Sequence, residues 1–247
     1  MSGEQNLGEQ ALDKVAEVAI TSQLDQVDQI DVDIQTDPLK LVQGKLDSVA
    51  ISGEGLTMKQ DLRVEAMGVS TDSVAVNPLK AMVGQIELTE STNAQVQVLL
   101  TEADLNRALN SDYLQQKMQS LEVNVEGEPL VITLEDIKLQ LPGDGKMVID
   151  TALNSPSFDQ AKHLSAVVKP FLADEGQRIG LEIISAEVPG LSIEVVTALL
   201  EKIVELLDLR NFDMDGFAMQ LKDFDLQTGK VLLRGSATVE QALFEQS

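Results

Sequence analysis

The sequence predicts an α+β fold: a long, twisted antiparallel sheet wrapped around a long apolar helix, preceded by an N-terminal amphipathic helix. Three observations carry that expectation. Polar–apolar alternation of period two recurs between residues 30 and 239, the mark of strands with one wet and one buried face. Residues 192–209 have helical periodicity with 11 of 18 residues apolar, so that helix must be covered on most sides. A third segment, residues 4–24, has one apolar side and opens the chain as a helix.

In that first helix Leu7, Ala11, Val15 and Val18 form one row and Leu12, Ala16, Ala19 and Ile20 the next, with Glu9, Asp13, Glu17 and Thr21 opposite. It carries a single lysine, unlike the basic helices that lie on membranes, so it is expected to pack on its own domain. Strands are expected at 30–34, 61–66, 94–98, 121–125, 137–141, 179–183 and 231–239. Turns are expected at Gly53–Gly55, Gly143–Gly145 and Thr228–Gly229. Thr101, with Asp104 three residues on, is a capping-box pattern that opens a helix to about Met118. Pro189-Gly190 and the N-cap Ser192 open the helix over 192–209, whose polar residues at 194, 197, 201, 205 and 208 form one narrow stripe.

Two short sequences recur. DPLKLVQGKL at 37–46 returns as NPLKAMVGQI at 77–86. Proline cannot continue a central strand, and the glycine suits the end of one helical turn, so each copy is expected to link two strands. LEDIKLQ, running on to Gly145-Lys146, is echoed by LKDFDLQ, running on to Gly229-Lys230, which makes 134–146 and 221–230 a second pair. No Pro/Gly/Ser-rich linker divides the chain, and residues 1–247 read as a single elongated domain with internal pseudo-repeats.

Composition narrows the functions. Forty-one acidic against 18 basic residues leave a net charge of −23, which disfavours nucleic acid and purely electrostatic docking on anionic membranes. Aromatic residues are 3%, so the interior is aliphatic. There is no cysteine, which removes disulfides, thiolate metal sites and a cysteine nucleophile and suits a reducing compartment. The first residues lack the basic and continuously apolar regions of a secretory signal, and a cytoplasmic protein peripheral to a membrane is expected.

Chemistry-bearing motifs are few. His163 is the only histidine and reads as a surface residue on a strand. Gly143-Asp144-Gly145-Lys146 lacks the spacing of a phosphate loop and reads as a hairpin turn. Asp213-Met214-Asp215-Gly216 is a fragment of a calcium loop, with Phe224 where the closing glutamate belongs. Asp31 and Asp33 share one strand face and suit a polar edge. No serine lies in a nucleophile elbow, so no catalytic residue, metal site or cofactor is expected.

One resemblance extends this reading. The stretch L-x-x-x-x-G-K-L-D-S-V-A-I-S-G-E-G-L at 39–56, V-N-P-L at 76–79 and VLLTEADLNRAL at 98–109 resemble the LmeA-like phospholipid-binding proteins, in particular their cyanobacterial-type members. That resemblance implies a tubular lipid-binding-like fold, with lipid tails between a curved sheet and a helix, and lipid binding or transfer rather than catalysis.

The leading expectation is a soluble, non-enzymatic protein that binds a phospholipid or fatty-acyl ligand, with lipid transfer and transient membrane contact left open. Its tail-lining residues, chosen by helical spacing, are Val195, Leu199, Ile203 and Leu206. A closed-core acidic scaffold that recruits basic protein partners is the second reading, and a carboxylate hydrolase the third. Edge strands of a long open sheet leave a dimer open.

Overall fold

The computed structural model describes residues 7–22, 24–58, 62–81, 87–125, 127–206 and 217–239. The first half contains α1 (Leu7–Thr21), β1 (Gln29–Gln35), α2 (Pro38–Val42), β2 (Lys45–Leu46), β3 (Ser48–Met58), β4 (Leu62–Thr71), β5 (Val74–Ala75), α3 (Pro78–Ala81) and β6 (Thr92–Thr101). The second contains α4 (Glu102–Leu109), α5 (Asp112–Met118), β7 (Leu121–Val125), β8 (Glu128–Gly143), β9 (Lys146–Asn154), β10 (Lys162–Ala173), β11 (Arg178–Glu187), α6 (Ile193–Leu206), β12 (Phe217–Gln227) and β13 (Lys230–Val239).

The class is α+β and mostly antiparallel sheet. The strands form a six-stranded sheet, β1-β3-β4-β6-β13-β12, a five-stranded sheet, β11-β10-β9-β8-β7, and the small pair β2-β5. Helix α6 packs against both β7 and β11, the two edge strands of the five-stranded sheet, which is therefore curled into a half-barrel. Its buried Val195, Val196, Leu199 and Leu200 join Ile132, Leu134, Leu153 and Leu164 in the largest core cluster. Each such aliphatic side chain stabilises the fold by about 1.5–3 kcal/mol. The expected helix continued to 209; residues 207–209 and the calcium-loop fragment 213–216 lie outside the described residues.

Both strand repeats take the same local form. Helices α2 and α3 each link strands, and Gly44 closes the first motif at φ +73°. The 134–146 and 221–230 segments are both hairpins, β8–β9 and β12–β13, turning at Gly143–Gly145 and Thr228–Gly229. Each first strand carries a one-residue slip inside the repeated sequence, between Glu135 and Lys138 in β8 and between Leu221 and Asp223 in β12, and β8 slips again between Gln140 and Gly143. Such bulges bend a strand and increase its twist.

Three sequence expectations are corrected. Gly53–Gly55 is not a turn but the middle of β3, where Gly55 has φ +59°. A Cβ on it would stand 1.9 Å from the Asp28 carboxylate, so the glycine serves a close approach by the segment entering β1. The helix expected from Thr101 to Met118 is broken into α4 and α5. There Ser111 Oγ donates to Ala108 O at 2.7 Å and accepts from Leu114 N, a local capping bond that competes with the helical ladder.

The inner face of α1 is also turned from the expected one. Asp13, placed with the outer polar residues, is buried and accepts a 3.0 Å hydrogen bond from Ile34 N on the free edge of β1. Val18 is exposed, while Ala16 and Ile20 pack on Val32, Ile34 and Leu46. An edge strand has unpaired N–H groups, and the carboxylate that satisfies one of them decides which side of the helix faces inward.

Candidate functional site

The two sheets meet along a seam built around α4. Beyond Ile132, the outer edge of β8 has no paired strand, because β7 pairs only with residues 128–132. Helix α4 takes the strand's place. Asn106 donates to Leu139 O at 2.7 Å and accepts from Leu139 N at 2.8 Å, as a neighbouring strand would. Glu102 accepts from Leu141 N at 2.7 Å, and Asn110 donates to Ile137 O at 2.8 Å. The ladder works because four helical residues rise about 6 Å, close to the roughly 6.8 Å of two strand residues.

The other side of α4 is fastened to the six-stranded sheet. Thr101 and Asp104 form a full capping box, and Asp104 accepts a 2.7 Å bond from Arg63 on β4. Arg63 also reaches Glu65 at 2.8 Å. Burial pushes the Asp104 carboxyl up, yet it is held below its ordinary value by the Thr101 hydroxyl and backbone and by the Arg63 guanidinium. The seam is completed where Gly229 N donates to Leu141 O at 2.8 Å and Gln220 Nε2 to Glu175 O at 2.6 Å.

Behind this seam lies a cavity of about 220 Å³, partly open to solvent. The five-stranded sheet contributes Leu134, Ile137, Leu139, Met147, Ile149 and Leu181. The six-stranded sheet contributes Leu100, Phe224, Leu226, Val231 and Leu233. Leu105 and Leu109 of α4, Met118 of α5, Leu200 and Ile203 of α6 and, again from the five-stranded sheet, Leu164, Pro170 and Ile179 also line it. Its surface is wholly apolar: even Thr151 turns its hydroxyl away, donating to Glu135 O at 2.8 Å. Such a cavity excludes ions and polar heads and accepts hydrocarbon.

Across residues 3–236 the sequence matches the family described as LmeA-like phospholipid-binding. The chain belongs to that family. No curated protein matches it.

The four residues chosen by helical spacing fall in different places. Ile203 lines this LmeA-like protein's cavity, while Val195 and Leu199 are buried in the adjoining core. Leu206 ends α6, and its side chain lies outside the described residues. Leu200, one residue from the chosen row, is at the cavity wall. Most of the wall comes from strands, and the signal for it was the paired LEDIKLQ and LKDFDLQ sequences. In both, apolar residues fall at odd spacing across two polar ones, as a bulge requires to keep them on one face.

Other candidate chemistry is sparse. His163 is exposed on β10, 3.6 Å from Asp150. Among the described residues no group of three or more His, Asp or Glu side chains could hold a metal ion. The buried acids Asp13 and Asp104 each serve a structural hydrogen bond. No described helix is long and apolar enough to cross a membrane.

Proposed function

We propose that this protein binds a phospholipid non-enzymatically, burying part of an acyl chain in the cavity between its sheets while the headgroup stays outside. The observation that carries this reading is the wholly apolar, partly open cavity in a chain of the LmeA-like phospholipid-binding family. Its size sets how much lipid enters. At about 220 Å³ it exceeds the roughly 150 Å³ that holds benzene but falls below the roughly 300–1,000 Å³ of pockets enclosing whole ligands. A segment of one tail fits better than a whole lipid.

In this reading α6 is the inner wall that the curled sheet closes upon, as in the tubular arrangement implied by the family resemblance. Ile203 and Leu200 contact the tail, and Val195 and Leu199 support them from the core. Affinity comes from methylenes, about 0.8 kcal/mol for each one buried, so headgroup selectivity is weak. Exchange of the tail with a membrane makes lipid transfer the natural use of such a carrier.

The test is organic extraction of purified, detergent-free protein, with lipid mass spectrometry and protein quantitation, alongside titration with a fluorescent fatty acid. Near-stoichiometric phospholipid and saturable probe uptake support the proposal. A folded protein that carries no lipid and takes up no probe would leave the closed-core acidic scaffold as the better account.

A further inference from the structure

The two copies of the Pro-Leu-Lys motif come together. Asp37 Oδ1 accepts from Leu39 N at 2.8 Å and Asn77 Oδ1 from Leu79 N at 3.1 Å, so both one-turn helices are capped alike. The β2–β5 pairing sets them side by side, and Val76 N donates to Gly44 O at 2.8 Å. A Cβ on Gly44 would stand 2.9 Å from Pro78 Cδ, so the end of one motif touches the start of the next.

From this double turn Leu39, Val42 and Leu79 are 75%, 78% and 75% exposed, the highest values among large apolar side chains of the described residues. Neither turn needs them: the caps come from Asp37 and Asn77, and Leu46, Val76 and Leu88 form the core beneath. The charge here also departs from that of the chain. Residues 37–47 and 77–87 hold Lys40, Lys45 and Lys80 against Asp37, Asp47 and Glu87, three positive and three negative, whereas the whole chain carries −23. Lys40 pairs with Asp47 and Lys80 with Glu87.

We propose that this double turn docks on a lipid bilayer, with Leu39, Val42 and Leu79 entering the boundary between headgroups and acyl chains and Lys40 and Lys80 at headgroup level. Charge neutrality is what a strongly acidic protein needs at its point of contact, because every other acidic face is repelled by anionic lipid. Three aliphatic side chains suffice for shallow insertion. They are too few for a second copy of the chain, since a stable dimer covers about 800 Å² per partner. The biological purpose of docking rests on the lipid-binding reading above, but its geometry does not.

Flotation with vesicles of pure phosphatidylcholine, at low and high salt, tests it. The wild-type protein floats at both, and the Leu39→Ser/Val42→Ser/Leu79→Ser variant loses about tenfold or more in vesicle affinity. Fatty-acid probe uptake and melting temperature stay unchanged in that variant, because the cavity is untouched and the three side chains are exposed. Flotation that depends on the three residues without any probe uptake would support docking and sink the cavity reading instead. Docking is overturned if the variant floats like the wild type, if the wild type does not float, or if the substitutions only convert a dimer to a monomer.

Discussion

Asn106 shows how one side chain can stand in for a strand. Its amide supplies both the acceptor and the donor that the Leu139 backbone lacks on the open edge of β8. Truncating it leaves a buried N–H and C=O without partners, which costs about 1–3 kcal/mol. Asn106→Ala should therefore lower the unfolding free energy by that amount, read as a lower urea midpoint with an unchanged m-value. Asp104 acts on the other side of the same helix, and its effect is pH-dependent. Its carboxyl is held below its ordinary value in the folded state, so the stabilisation is fully present above the unfolded value of about 3.9 and is lost as pH falls through the lower, folded one. A series of thermal melts toward acid should show a steeper loss for wild type than for Asp104→Asn. Neither role was legible in the sequence beyond the capping box. Glu102, Asn106 and Asn110 fall at fourfold spacing, and only the unpaired edge of β8 makes them structural.

At the level of elements, a register slip in β8 brings two side chains onto the face that lines the cavity. In β8 the slip at Asp136, which has φ +51°, lets Leu134 and Ile137 share one face despite their odd spacing. Asp136→Gly should be nearly neutral, since glycine accepts that backbone. Asp136→Val places a β-branched residue in the left-handed region and should cost about 1–2 kcal/mol, measured by chemical denaturation. Most strands, the β8–β9 and β12–β13 turns and α6 were legible because alternation, turn glycines and helical spacing are local, whereas Gly53–Gly55 carried the same turn signal inside β3. The break between α4 and α5 was not, because the local Ser111 cap is joined there by a bond from Asn110 to Ile137 O, 27 residues along the chain. The rotated face of α1 likewise depended on β1 being an edge, which no local pattern reveals.

At the level of the whole molecule, the cavity lies where the two sheets share one helix at their seam. Helix α4 bonds β8 through Glu102, Asn106 and Asn110 and β4 through Asp104, so neither sheet can shift without breaking one set. The aliphatic composition made an acyl-chain site conceivable from sequence, yet the wall itself was hidden. Its residues come from strands up to 133 positions apart, Leu100 to Leu233, and helical spacing in α6 says which residues align but not what stands opposite them.

That void has a mechanical consequence. Unfolding abolishes it, so the unfolded chain occupies less volume than the folded, empty protein, and hydrostatic pressure favours the smaller state. A tail in the cavity removes that difference. Delipidated protein should unfold at distinctly lower pressure than lipid-loaded protein, followed by tyrosine fluorescence of Tyr113 in a high-pressure cell. Compressibility thus becomes a readout of whether the cavity is filled, one that needs neither a label on the ligand nor a view of the site.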